Sequence, residues 1–206
     1  MKTTQATLFA VLTLLAGGAG GYLLKAQQSQ PTAADVVFAQ DMMTHHSQAV
    51  DMANRIYVRL LAEQKLSQQD EFMKYLSYDI ITSQSNQNGQ MLGWLSLWNK
   101  PATNPSPMDM QAMGMATPEQ VAALSSLPLN EAKTSFLQLM IRHHQGGVMM
   151  AEDALKSART DVVKNMAQRV VQAQTSEIEG MKSMLEKLNA EPLPDLEDMP
   201  GMEHGH

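Results

Sequence analysis

The sequence predicts an all-α protein in which two repeated helical hairpins form a four-helix bundle. Three observations support this fold class. Aromatic residues make up only 5% of the chain and runs of β-branched residues are scarce, which disfavours a β-sandwich. Capping residues and prolines separate long proline-free stretches, as expected for helices joined by loops. One of these stretches recurs later in the chain, which indicates a duplicated unit.

Helix boundaries follow from the capping residues. Ser67 and Asp70 form a capping-box pattern, and Thr117 followed by Pro118 also favours a helix start. Asn130 is the predicted cap of the third long helix. The predicted helices are 35–64, 67–98, 117–125, 130–158 and 161–188.

The N-terminal segment predicts export. The apolar stretch Ala6–Leu24 follows Lys2 and has the pattern of a signal peptide. As one helix it would be about 28 Å long, so a retained membrane anchor is the alternative. The predicted parts of the chain are 1–26 (signal peptide or anchor), 27–34 (linker), 35–190 (four-helix metal-binding domain, with hairpin 35–98, Met-rich loop 99–116 and hairpin 117–190) and 191–206 (acidic, disordered Met/His-rich tail).

Composition excludes several classes of function. The net charge of −6 disfavours nucleic acid as a partner, because phosphate binding needs a basic face. The chain has no cysteine, so disulfides and thiolate metal sites are excluded. Its 18 methionines are more than a core needs as flexible filler, and all six histidines occur in close pairs. Such pairing points to a role beyond packing.

The repeated segment carries the first candidate site. Phe38–Ala53 recurs as Phe136–Ala151, with both histidines and two methionines at matching positions. Positions i, i+3 and i+4 of a helix share a face, so each copy presents imidazoles and thioethers together. The predicted metal ligands are Met42, His45, His46 and Met52 in the first copy, and Met140, His143, His144 and Met150 in the second. The duplication favours metal binding for the histidines, whereas the methionines fit core packing equally well.

Two further clusters extend the candidate metal-binding set. An exposed loop gains nothing from packing methionine, and the tail combines methionine and histidine with acidic residues. The predicted ligands are Met108, Met110, Met113 and Met115 in the loop, and Met199, Met202, His204 and His206 in the tail. Thioether sulfur suits Cu(I) and Ag(I), and imidazole suits copper, zinc and nickel. The mixture without thiolate therefore predicts copper, with Cu(I) favoured over Cu(II).

These segments resemble a bacterial domain-of-unknown-function family of exported proteins with Met-x-x-His-His helices. The resemblance covers Asp35–Leu188 and is most specific from Phe136 to Ala151. It implies a ferritin-like four-helix fold, a periplasmic location and a copper-handling role, and the eight ligands of the repeat carry over by motif match. A partner copper protein or efflux system is also expected. The family's fourth-helix pattern Gln-x-x-Glu-Ile-x-x-Met is met by Gln174, Glu177, Ile178 and Met181. Gln87 stands at the acidic position of the second helix, which argues against a symmetric role for that carboxylate.

Two alternatives to a copper-binding protein remain at this point. A ferritin-like di-iron enzyme needs Glu-x-x-His motifs on two bundle helices, and the chain has this spacing only at Glu203 and His206 of the tail. A structural bundle without a metal role is the other alternative. No catalytic constellation is visible, so the protein is not expected to be an enzyme. In an up-down bundle the first and third long helices run parallel, which would place the two histidine pairs at similar height and close enough to interact.

Overall fold

The computed structural model describes residues 30–106 and 109–196, and within these ranges it contains five helices and no strand. The helices are α1 (Ala33–Leu61), α2 (Gln68–Leu97), α3 (Pro118–Ser126), α4 (Leu129–Ser157) and α5 (Asp161–Lys187). The predicted all-α class is confirmed. None of the described helices is both long and apolar enough to cross a membrane. The predicted signal or anchor segment lies outside the described residues.

Two of the three helix caps that the sequence predicts are present. Ser67 and Asp70 form a complete capping box at α2, and Thr117 does the same with Gln120 at α3. The predicted bounds of α4 agree with the structure to one residue, but its predicted cap is wrong, because the helix begins one residue before Asn130 and has no side-chain cap. Pro128 occupies the cap position instead, and its fixed φ suits the entry into a helix.

Two hairpins form the bundle. α1 packs along α2, α4 packs along α5, and the two hairpins meet mainly between α1 and α4. The short helix α3 lies against both α1 and α4. The four long helices therefore form the predicted four-helix bundle, with α3 in the connection between the hairpins.

The connection between the hairpins runs along the whole length of α1. The Gln40 side chain donates to the carbonyl of Pro101, near the start of α1. At the other end, Arg59 donates to the carbonyl of Leu127. α4 therefore begins where α1 ends, and the two helices run antiparallel. The expectation of parallel first and third helices is wrong, because a crossover of this kind reverses the second hairpin, as in ferritin-like bundles.

The core consists of two apolar clusters that are separated along the bundle. The Phe136 cluster includes Ala49, Met52, Ile56, Phe136 and Met140, and the Phe38 cluster includes Phe38, Met42, Met91, Ala151 and Val163. On both α1 and α4, the histidine pair lies between the residues of these two clusters. The histidines are therefore placed at the centre of the bundle.

A buried carboxylate fixes the start of α1 to the turn between α4 and α5. Asp35 is fully buried and accepts hydrogen bonds from the hydroxyl and backbone N–H of Thr160 and from the N–H of Arg159. Burial alone would raise its pKa, but the hydrogen bonds from Thr160 and Thr32 outweigh burial and lower the pKa to about 2.

The segment 191–196 is ordered against α4, although the sequence predicted disorder from residue 191. Gln138 donates to the carbonyl of Glu191, and the Gln145 side chain contacts both Asp195 and Leu196. Leu196 is only 1% exposed, so it contributes to the apolar packing. Residues 197–206, with the four predicted tail ligands, lie outside the described residues.

Candidate metal centre

The four bundle histidines form one cluster at the centre of the molecule, which we call the histidine layer. The rings of His45 and His143 stack with their centroids 3.6 Å apart and their planes inclined by 29°. His46 lies 6.4 Å from His45, and His144 lies 6.2 Å from His143. All four side chains are fully buried. The structure thus brings the predicted histidines of both repeats together.

Hydrogen bonds define the tautomer of three of these rings. In each case Nε2 faces an oxygen atom that only accepts hydrogen bonds, so Nε2 carries the proton. Nδ1 of a neutral ring then holds an unprotonated lone pair. The accepting atoms are the Met113 carbonyl for His45 (3.1 Å), Oε1 of Gln87 for His46 (2.6 Å) and Oε2 of Glu177 for His144 (2.6 Å).

Several ring nitrogens in the layer have no hydrogen-bond partner in the described structure. They are Nδ1 of His45, His46 and His144, and both ring nitrogens of His143. An unpaired polar atom in a protein interior costs about 1–3 kcal/mol. In a purely structural cluster, these unpaired atoms would destabilise the fold without any functional benefit. The unpaired lone pairs are instead suitable donors for a metal ion.

Burial keeps the rings of His45, His46 and His143 neutral at physiological pH. Burial first, and charge repulsion from the neighbouring His46 second, lower the pKa of His45 to about 3. Burial also lowers the pKa of His46 to about 4, despite the opposing hydrogen bond to Gln87. The pKa of His143 is likewise well below its ordinary value, mainly through burial. Neutral imidazole is the form that binds metals, so these rings need not lose a proton first.

The predicted methionines lie along α1 and α4 on the two sides of the histidine layer. Met42, Met52 and Met140 are fully buried, the first in the Phe38 cluster and the other two in the Phe136 cluster. Met150 is only partly buried and packs against the Phe38 cluster. Because α1 and α4 are antiparallel, each side of the layer receives methionines from both helices.

The methionine-rich loop covers the layer. Besides bonding to His45, Met113 lines a surface pocket of about 270 Å³ together with Met150, Asp41 and Asp153. Close packing of the loop on α4 requires Gly146, where a Cβ would lie 1.9 Å from the Met113 carbonyl oxygen. Met110 is 55% exposed and Met115 partly buried, while Met108 lies outside the described residues. The loop therefore places one methionine against the layer and another at the protein surface.

Gln87 and Glu177 are the site residues that were missing from the ligand set predicted from the sequence. They occupy equivalent positions on α2 and α5, and each bonds to the outer histidine of its own hairpin. The family pattern contained this signal, since Gln87 stands at the position of the second helix that corresponds to Glu177. Gln84 and Gln174 are a second pair of residues at equivalent positions on α2 and α5. Both are buried, and the side-chain Oε1 of each has no hydrogen-bond partner in the described structure.

The donor chemistry of the layer fits a soft monovalent cation. Among the described residues, no three His, Asp or Glu side chains have the arrangement of a preformed metal site. The stacked faces of His45 and His143 are in contact, so an ion would bind at the ring edges, where the unpaired nitrogens lie. Imidazole nitrogens with thioethers on both sides match the preferences of Cu(I) and Ag(I).

The fold and the site define a ferritin-like helical bundle with a buried histidine layer at its centre. The chain belongs to the DUF305 family, a domain of unknown function that matches residues 35–185. No curated protein sequence matches the chain.

Solved structures with a similar fold include two proteins of this family and CopM. A DUF305 protein from Streptomyces coelicolor, described as a candidate secreted protein, is 36% identical; the match covers 84% of this chain and 98% of that one, with a TM-score of 0.69. A DUF305 fragment from Deinococcus radiodurans is 37% identical, with coverages of 76% and 98% and a TM-score of 0.66. CopM in its Cu(I)-bound form is 25% identical, with coverages of 74% and 96% and a TM-score of 0.58. CopM has also been solved in an Ag-bound form.

Proposed function

We propose that this protein is an exported copper-binding protein that holds Cu(I) as cargo in the histidine layer. The observation that carries the proposal is the set of buried, neutral imidazoles whose unpaired nitrogens meet at one place, supplied by both hairpins. The Cu(I)-bound and Ag-bound structures of CopM support it, because that protein shares the fold. Sequestration of copper, tolerance to it, or transfer to another copper-handling protein or efflux system would all use such a site.

The loop and tail have a separate part in this proposal. The partly buried Met113 and Met150 line an open pocket beside the layer, and Met110 is exposed on the same loop. These thioethers would capture Cu(I), and the occasional Cu(II) or Ag(I) ion, before it reaches the buried rings. The Met/His-rich tail would add capacity for weaker binding.

A role in binding rather than catalysis is part of the same proposal. Di-iron enzymes of this fold use a Glu on each of two helices and Glu-x-x-His on the other two. In the described ranges, Glu177 is the one carboxylate that bonds to a histidine of the layer. This donor set supports the storage of a soft ion better than it supports the activation of oxygen.

An anaerobic titration tests the proposal. The exported part of the chain would be titrated with Cu(I) against a competing chromophoric chelator, and in parallel with Ag(I) and Zn(II). We expect more than one Cu(I) per chain, with a preference for Cu(I) and Ag(I) over Zn(II). The Met73→Leu variant is the control for binding by buried thioethers in general. It removes a buried thioether that lies far along the bundle from the layer, so its Cu(I) binding should match that of the unmodified chain. Displacement of Cu(I) by an equal concentration of Zn(II) would show that the assignment is wrong.

A further inference from the structure

The two outer histidines of the layer have partners of different charge. Gln87 on α2 accepts from His46 and Glu177 on α5 accepts from His144, both at 2.6 Å. These partners are equivalent in the repeat and nearly identical in shape, yet only Glu177 carries a negative charge. The geometry of the layer is therefore close to symmetric, while its electrostatics are not.

Other charged groups near the layer point elsewhere. Arg142 precedes His143, but its guanidinium donates to the Pro194 carbonyl at the surface. Asp41 accepts from Asn104 and lines the surface pocket. Within residues 30–106 and 109–196, Glu177 is thus the charged side chain that bonds directly to the layer.

The number of charges at a buried site selects the charge of the ion that it binds. Moving a cation out of water is costly unless an opposite charge is close to it. One carboxylate balances one monovalent ion, whereas a divalent ion would leave a net positive charge in the interior. The Glu177 side chain is 23% exposed, so water weakens this effect but does not remove it.

We propose that Glu177 is the counter-charge that makes the layer selective for one monovalent soft cation, Cu(I) or Ag(I), over divalent ions. Gln87 maintains this selectivity because it holds His46 in the same tautomer without adding a second charge. Glu177 acts through His144, whose Nε2 proton it accepts in a hydrogen bond and whose Nδ1 it leaves free for the ion. The inference rests on the proposed function, since it concerns the ion held in the same layer.

Three variants of the whole exported chain test this inference. Glu177→Gln reproduces on α5 the arrangement that Gln87 has on α2, so the fold should be retained. Gln87→Glu adds the second carboxylate. Glu179→Gln is the matched control, because it removes the same charge from an exposed position two residues along α5. Each variant would be titrated with Ag(I), which is inert to oxidation, and with Zn(II).

We expect Glu177→Gln to lower Ag(I) affinity by about 10- to 100-fold, the range typical of outer-shell partners of metal-binding histidines. Gln87→Glu should raise Zn(II) affinity relative to Ag(I) by about tenfold or more, and Glu179→Gln should change neither. An unchanged ratio of Ag(I) to Zn(II) affinity across all variants would overturn the inference and leave copper binding intact. Failure of the wild-type chain to bind Ag(I) or Cu(I) would instead overturn the proposed function.

A second measurement needs no metal. The ¹⁵N chemical shifts of the imidazoles report their tautomers, and in the wild-type chain His46 and His144 should both be protonated at Nε2. Replacing Glu177 by Leu should release His144 from this tautomer and leave His46 unchanged. A wild-type His144 protonated at Nδ1 would contradict the assigned role of Glu177.

Discussion

His143 shows the conflict between stability and binding at the scale of a single residue. It is fully buried, it stacks on His45, and both of its nitrogens lack partners. Proteins tolerate such costs where function needs them, and substitutions that remove the cost commonly raise stability. A substitution of His143 therefore shows whether this histidine binds metal or only packs in the core.

We predict that His143→Leu stabilises the metal-free protein while it weakens Cu(I) binding at least tenfold. Leucine has a similar volume and removes the unpaired polar atoms, which should gain about 1–3 kcal/mol. Chemical denaturation without metal and a Cu(I) competition titration would measure the two effects. A loss of stability of the same size would indicate that the ring is a packing element, as in a structural bundle without a metal role.

Asp35 determines how the fold responds to acid. Its folded pKa is lowered to about 2 from an ordinary value of 3.8, so its contribution is fully present above about pH 4 and is lost as the pH falls to 2. At about 1.4 kcal/mol per pKa unit, this contribution is on the order of 2 kcal/mol.

We predict that Asp35→Asn lowers the unfolding free energy at pH 7 by about 2 kcal/mol and flattens its decline between pH 4 and 2. Urea denaturation at several pH values would measure both effects. Asp153→Asn is the matched control, because Asp153 is exposed and forms only a surface ion pair with Lys156. An equally steep decline in the Asp35→Asn protein would assign the acid sensitivity to other carboxylates.

At the scale of the elements, the helices could be predicted from the sequence but the direction of the second hairpin could not. Capping residues and the repeat give α1, α2, α3 and α5 to within a few residues. The direction of α4 depends on where the connecting segment ends, and that depends on contacts such as Gln48 with Ala116 that link residues far apart in the sequence. The residue types allow these contacts but do not specify them.

The candidate site could also be predicted only in part: the histidines were identified, but their hydrogen-bond partners were not included. The histidines were identified because a repeated pair is rare, and both pairs do lie in the layer. Gln87 and Glu177 were matched to the family pattern but left out of the ligand set, because Gln87 stands where that pattern has an acid. Only the packing within each hairpin, which brings each of them within 2.6 Å of a buried ring, distinguishes them from surface residues.

The C-terminal segment has two parts with different expected roles. Residues 191–196 bond to α4 and bury Leu196, whereas residues 199–206 carry the predicted tail ligands. We predict that deleting 199–206 lowers the number of Cu(I) ions bound and leaves helicity and thermal stability unchanged. Circular dichroism and a Cu(I) titration would measure these effects.

A longer deletion, of residues 191–206, is the comparison for this truncation. It removes the contacts of Gln138, Arg142 and Gln145 as well as the buried Leu196, so it should also lower the melting temperature by several degrees. Equal melting temperatures for the two truncated proteins would show that the segment 191–196 contributes nothing to the fold.

At the scale of the whole molecule, the two hairpins are related by an approximate twofold arrangement that centres on the histidine layer. An antiparallel pair of helices brings equivalent residues to the same height only if they lie near the middle of each helix. His45 and His143 meet this condition and stack at 3.6 Å. The duplication thus brings the two histidine pairs together in one central layer.

A double-mutant cycle on Cu(I) affinity tests this shared site with His46→Ala and His144→Ala, one change in each hairpin. Independent sites would give losses of binding free energy that add within about 0.5 kcal/mol. We predict strong non-additivity, because the loss of either ring already disrupts the coordination shell to which both belong. The coupling could pass through a common ion or through the central stack of His45 and His143. Repeating the cycle on metal-free stability separates these two routes, since coupling through the stack would persist without copper and coupling through the ion would not. Additive losses of affinity would refute the shared site while leaving copper binding by each hairpin intact.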